Sequence, residues 1–132
     1  MNVGLLIISH DGIGPALLGT AKFMFNGCPL NVKLITASRD CDPDELMVDA
    51  TEQVDNLEQG NGVLILTDLY GSTPSNIAKK MSRNKKIKII TGLNLSMLIR
   101  VFNYPELNLE ELAQKALSGG RDGIVLVNEQ EN

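Results

Sequence analysis

The sequence predicts an α/β protein: a three-layer α/β/α sandwich around a mainly parallel central sheet. Three observations carry this. Five short apolar runs (Val3–Ile8, Val32–Thr36, Val63–Thr67, Ile87–Thr91 and Gly123–Val127) are nearly continuous rather than alternating, as strands buried on both faces are. Segments of helical spacing lie between them, and alternation of strand and helix on this scale gives parallel strands with helices on both faces. The 132 residues suit one domain with a single sheet, and no linker or internal repeat divides 1–132.

The elements follow in order. The first apolar run reads as a buried strand ending at Ser9-His10. A helix from about Pro15 to Asn26 has Leu17, Leu18, Ala21, Met24 and Phe25 on one face. Pro15 suits its first position, and Gly27 suits its end. After the second strand, Asp42 caps a helix with Pro43 first and Glu45 three residues after the cap. Leu46, Ala50, Val54 and Leu57 form its apolar stripe, and Gly60 closes it. The third strand leads to a helix capped by Thr73, with Pro74 first and Ile77, Ala78 and Met81 toward the core. A short helix near Leu95–Phe102 follows the fourth strand. The last begins at Asn108, with Glu111 completing a capping box, and stops at Gly119-Gly120. Inner lysines in the second and fourth strands, Lys33 and Lys88, place those strands toward the sheet edges. With the first strand central beside the third, the order is 2-1-3-4, and Gly123–Val127 is a C-terminal edge strand. The residues leave its direction open.

Composition excludes several classes. Hydrophobic residues make up 43% and charged residues 21%, a globular balance. No segment reaches the ~18 continuous apolar residues of a membrane span. The N-terminus lacks the basic region and cleavage site of a signal peptide, so a cytoplasmic protein without membrane insertion is expected. Cys28 and Cys41 fit neither a CxxC nor a zinc pattern. A net charge of −4 argues against nucleic acid as a ligand. That charge is segregated: residues 40–58 hold eight acids and no base, and residues 69–105 hold seven bases and no acid. The pattern reads as two solvated helix faces, or as a bipolar surface that steers a partner.

Ligands of open α/β sheets bind beyond the carboxyl ends of the strands. His10, the sole histidine, stands there at the end of the first strand. A lone histidine at a strand end can be a merely solvated residue. Here, however, Asp68 ends the neighbouring third strand. A carboxylate bonded to one ring nitrogen fixes the tautomer, leaves the other nitrogen as a nucleophile, and stabilises positive charge on the ring. The segment Gly71-Ser72-Thr73-Pro74 opens a helix, where free N–H groups and the helix dipole favour an anion. Ser72 is assigned chiefly to a bound phosphoryl group and Thr73 chiefly to capping. Gly71 and the turn at Gly12 offer further N–H donors.

These residues carry a resemblance. Ser9-His10-Asp11-Gly12, the run Gly62 to Asn76 containing Asp68-Leu-Tyr-Gly-Ser-Thr-Pro74, Thr91-Gly-Leu-Asn-Leu-Ser-Met97-Leu, and the closing Gly-Gly-Arg121-Asp-Gly123 are similar to the IIA component of the mannose-family phosphotransferase system (PTS). The similarity covers nearly the whole chain and reaches its end about where a IIA domain ends, so no fused IIB component is expected. It implies a histidine phosphotransferase: His10 accepts the phosphoryl group on the nitrogen not bonded to Asp68. The donor would be the phosphocarrier protein HPr, and the acceptor a IIB component. It also implies a homodimer with a C-terminal antiparallel strand packed across the interface, and no cofactor or metal. Two departures are Ser72, where many relatives have a second glycine, and Ser96, where many have proline. Neither removes a phosphoryl-binding group. A regulatory protein that binds partners according to phosphorylation state, without onward transfer, is the alternative. A dihydroxyacetone-kinase phosphotransfer subunit, which has a similar domain, is another.

Rival chemistries fit less well. A receiver domain needs a carboxylate pair after the first strand, where only Asp11 follows His10, and a lysine after the last, where Asn128 stands. A dinucleotide fingerprint fails at its third glycine, which is Leu17. No Gly-x-Ser-x-Gly elbow marks a serine hydrolase. One histidine rules out a histidine-rich metal site.

Overall fold

Burial on two faces sets the architecture. In β1 (Gly4–His10), Leu5 and Ile7 pack into one core, Leu6 and Ile8 into another, and all four are fully buried. β3 (Val63–Thr67) divides in the same way, Leu64 and Leu66 to the first core, Val63 and Ile65 to the second. Both strands therefore read as unbroken apolar runs. The computed structural model describes residues 2–84 and 86–128. In it, β1 pairs in parallel with β2 (Val32–Ala37) on one side and β3 on the other, and β4 (Ile87–Ile90) pairs in parallel with β3. The order β2-β1-β3-β4 is the expected one. Lys33 and Lys88 do fall on the edge strands, exposed.

The first core is closed by α1 (Ile13–Phe25); the second by α2 (Pro43–Leu57) and α3 (Thr73–Met81). α4 (Leu95–Phe102) and α5 (Leu109–Asp122) complete the first. Local chemistry starts three of these helices. The side chains of Asp42, Asn94 and Asn108 accept hydrogen bonds from the N–H groups of Asp44, Met97 and Glu111 at 2.9, 2.8 and 2.9 Å. The buried stripe of α2 is the expected Leu46, Ala50, Val54 and Leu57.

Four expectations are corrected. α1 begins at Ile13, so Pro15 takes the third helical position rather than the first; its missing N–H has no intrahelical use there either. Met24 is 59% exposed, because the stripe that faces the sheet is centred on Leu18 and Ala21. α3 has Ser72, not Thr73, at its N-cap, and no side chain caps it, because the Ser72 hydroxyl donates to the Leu69 carbonyl at 2.6 Å. α5 runs through Gly119-Gly120 to Asp122. These glycines are a packing device, not a stop signal. A Cβ on Gly119 would lie 2.3 Å from the Arg100 Cβ, and one on Gly120 2.9 Å from the Met97 Cε, so α5 could not approach α4 so closely with larger residues.

The run expected as a C-terminal edge strand joins no strand of this sheet. Ile124, Val125, Leu126 and Val127 are between 63% and 86% exposed.

Leu64→Ala removes a fully buried side chain of a central strand. It is expected to cost about 2–5 kcal/mol, read as a lower urea midpoint with an unchanged m-value.

Candidate functional site

The site is built where the two central strands end together. Ile8 lies opposite Thr67 in the parallel register, which sets Asp68, one residue beyond β3, beside the end of β1. Asp68 Oδ2 then accepts two hydrogen bonds from one residue: from the His10 backbone N–H at 3.0 Å and from the His10 ring Nδ1 at 2.8 Å. A carboxylate can only accept, so Nδ1 carries the hydrogen, and in the neutral ring Nε2 then holds the lone pair. The His10 side chain is 45% exposed, whereas that of Asp68 is 8% exposed. The expected pairing of these two residues is therefore present. The buried member holds the ring of the more accessible one.

Burial of Asp68 works against its ionisation. The hydrogen bonds from the His10 backbone and ring, with the ring's charge when it is protonated, outweigh it and hold the carboxyl below its ordinary value of 3.8. Asp68 Oδ1 and the Thr67 hydroxyl are buried without a hydrogen-bond partner among the described residues. The carboxylate thus depends on His10 for its side-chain stabilisation.

Two helix starts flank the pair in sequence. At α1, Gly12 adopts φ 80°, a left-handed conformation that glycine takes without strain, and turns the chain from strand to helix. At α3, the first turn leaves some N–H groups without intrahelical partners. The Gly71 N–H donates to the Ser75 hydroxyl at 3.0 Å, and both the N–H and the hydroxyl of Ser72 donate to the Leu69 carbonyl. Thr73, exposed at the first helical position, is not engaged in this way. Of the four residues expected to hold phosphoryl oxygens, Gly71 and Ser72 thus donate to the protein itself, while Gly12 and Thr73 are exposed.

Residues the sequence reading passed over also lie here. Ser9, fully buried, bonds both to the His10 carbonyl and to the Gly14 N–H. Its signal was a hydroxyl interrupting an apolar strand one residue before the histidine. Ile13, Leu69 and Tyr70, adjoining the two strand ends, are 41%, 61% and 78% exposed. No group of three or more His, Cys, Asp or Glu side chains among the described residues could hold a metal. A cavity of about 520 Å³ near the end of β2 is lined by Asp40, Asp42, Glu45 and Asp49, whose charge would repel a phosphoryl group.

Residues 4–117 match the family described as the PTS system fructose IIA component, EIIA-man. The chain belongs to this family. The resemblance to a mannose-type IIA component thus stands. A mannose-specific EIIAB component of Escherichia coli K12 is 28% identical over 127 residues, which are 94% of this chain and 39% of that protein. The chain spans well under half of that relative's length. A PTS IIA protein associated with the fucose utilization operon of Streptococcus pneumoniae superposes with a TM-score of 0.82 at 28% identity, over 100% of this chain and 98% of that one. A mannose/sorbose-specific IIA subunit from Enterococcus faecalis gives a TM-score of 0.86, over 97% of this chain and 96% of its own, at 22% identity, a likeness of fold. No helix among the described residues is long and apolar enough to cross a membrane.

The charge state of Asp68 makes a testable link to pH. A carboxyl lowered in the folded state contributes stability above its ordinary value of 3.8, and this is lost as pH falls through the lowered folded value. In His10→Ala the ring bond and ring charge are gone while burial remains. The Asp68 titration, followed by carboxyl carbon NMR, is expected to move upward.

Proposed function

We propose that residues 1–132 form one IIA domain of a cytoplasmic phosphocarrier, whose His10 accepts a phosphoryl group from phospho-HPr and passes it to a IIB component for sugar uptake. The observation that carries the reading is the 2.8 Å bond between His10 Nδ1 and Asp68, which leaves Nε2 free on a half-exposed ring. The Nε2 lone pair attacks phosphorus in line as the bond to the donor's ring nitrogen breaks. The donor ring leaves with the electron pair of that bond. The new Nε2–phosphoryl ring is an imidazolium that keeps its Nδ1 hydrogen, and the ionised Asp68 beside it stabilises the positive charge. Transfer to the acceptor repeats the step in reverse order, and no proton need cross to or from Asp68.

Phosphoryl oxygens would rest on backbone N–H groups at the Gly12 turn and at Thr73, with the positive ends of α1 and α3 behind them; the Gly71 N–H, which donates to the Ser75 hydroxyl, would first have to leave that bond. Ser72 supplies a rotatable hydroxyl. It turns from the Leu69 carbonyl, where it now donates, toward a phosphoryl oxygen. Positioning and fixed dipoles account for such a transfer.

A homodimer is part of the proposal. Residues 124–127 leave four large apolar side chains exposed, and β4 is an edge strand with an unpaired side. An antiparallel strand formed by this segment and packed across the interface would cover both. Light scattering is expected to give the dimer mass for the native chain and a monomer for Val125→Asp/Leu126→Asp; a native monomer would overturn this part.

The transfer is tested with phosphoenolpyruvate, enzyme I and HPr. Native protein should take up label that is lost in acid and kept in base, and His10→Ala should take up none. Asp68→Ala should fold and accept phosphate on the order of 100-fold more slowly, the scale of a lost electrostatic stabiliser of developing charge. Label retained on His10 in the presence of a IIB component would favour state-dependent binding without onward transfer.

A further inference from the structure

Ser9 is the one polar side chain in an otherwise apolar strand interior, and it is fully buried. A buried hydroxyl is costly unless bonded. Both of its bonds go to the loop that follows His10. Ser9 Oγ accepts from the Gly14 N–H at 2.9 Å and donates to the His10 carbonyl at 3.1 Å. The bridge closes the end of β1 onto the first turn of α1, across Asp11, Gly12 and Ile13.

Two further features single the bridge out. Gly14 has no room for a side chain: a Cβ there would lie 2.6 Å from Ser9 Oγ, so glycine is what lets the hydroxyl reach the helix. Gly12, inside the bridged loop, has nothing within 4 Å of where a Cβ would stand. With open space on that side, the hydrogen bonds at Ser9 are among the contacts that hold the turn. The His10 N–H is held by Asp68 and the His10 carbonyl by Ser9, so both polar groups of its backbone are tied by side chains.

We propose that Ser9 is a positioning residue for phosphoryl transfer, its hydroxyl bridge from the His10 carbonyl to the Gly14 N–H locking the strand-to-helix turn so that the ring keeps its bond to Asp68 and its Nε2 in the attacking direction. This rests on the reading of His10 as phosphoryl acceptor. Ser9 does not touch the phosphoryl group. It acts through His10 and through the Gly12–Ile13 N–H groups carried by the same turn. Gly14 is the other half of the device, because any side chain there displaces the hydroxyl.

The test measures initial phosphoryl uptake from purified phospho-HPr, with ring nitrogen NMR of His10 on the same samples. Ser9→Ala is expected to lower the rate at saturating donor about tenfold, with the donor KM unchanged within twofold. Its ring signals should move from a single Nδ1–H tautomer toward a mixture. Ser9→Cys, which fills the same space with a weakly bonding sulfur, should fall between the native chain and Ser9→Ala. Gly14→Ala, which keeps the hydroxyl but displaces it, should reproduce the loss. Ser9→Ala/Gly14→Ala should be no slower than the slower single variant, since both changes break one bridge. A native rate and native ring signals in folded Ser9→Ala or Ser9→Cys overturn the proposal while leaving His10 as acceptor. Uptake of acid-labile label by His10→Ala instead overturns the underlying reading. If Ser9→Ala does not fold, Ser9→Cys and Gly14→Ala decide by the same two measurements.

Discussion

A single carboxylate oxygen, Asp68 Oδ2, accepts both the backbone N–H and the ring Nδ1 hydrogen of His10. The backbone bond fixes where the histidine sits, and the ring bond fixes which nitrogen is free. Neither survives a slip of one residue between β1 and β3, because a slip moves every side chain to the other face. The two cores prevent such a slip. Leu5 and Ile7 cannot exchange places with Leu6 and Ile8 without breaking the close packing shaped around each of them in the two cores. The chemistry at the edge of the sheet is thus held by apolar packing several residues away, and the link between them is strand register.

Charge on the outer layer is partly explained by helix ends. α2 has Asp44 and Glu45 in its first turn, and α3 has Lys79 and Lys80 in its last, each matching the helix dipole. Glu58, just past α2, accepts hydrogen bonds from the N–H groups of Gly60 and Gly62 and shapes the turn into β3. Asp49 and Glu52, in the middle of α2, serve neither purpose. α2 and α3 close the same core, so an acidic and a basic helix lie on one face of the sandwich. Such a face gives an approaching protein an orientation before contact, and that effect weakens as salt is added.

The sequence was most legible where one local signal had one meaning. Continuous apolar runs marked the buried strands, lysines marked the edge strands, and Asp42 and Asn108 marked helix starts. The pairing of His10 with Asp68 was legible because topology alone brings two adjacent strand ends together. Signals with two meanings misled. Gly119-Gly120 has the composition of a helix end, but only the approach of α4 shows that the glycines make room for Arg100 and Met97. Ser72 and Thr73 are equally good caps in isolation, and the Leu69 carbonyl decides between them. The apolar run 124–127 has the pattern of a strand, and among the described residues it pairs with none of the four strands of the sheet. Ser9 was illegible for a related reason: a buried serine means nothing until its two partners are known.

Under the proposed function, the half-exposed ring of His10 follows from what a carrier must do. An enzyme that finishes a reaction within one chain can bury its nucleophile and exclude water itself. A carrier must meet two different proteins at the same atom, so its nucleophile has to stand at the surface. The chain can then preorganise only what lies on its own side of the phosphorus: the ring orientation through Asp68, the turn through Ser9 and Gly14, and the N–H groups at two helix starts. Exclusion of water falls to whichever partner is docked. The exposed Ile13, Leu69 and Tyr70 beside the strand ends offer apolar surface on which that exclusion could be completed. On this reading the division between buried Asp68 and exposed His10 is the central design feature: the charge that must never move is shielded, and the atom that must be reached is not.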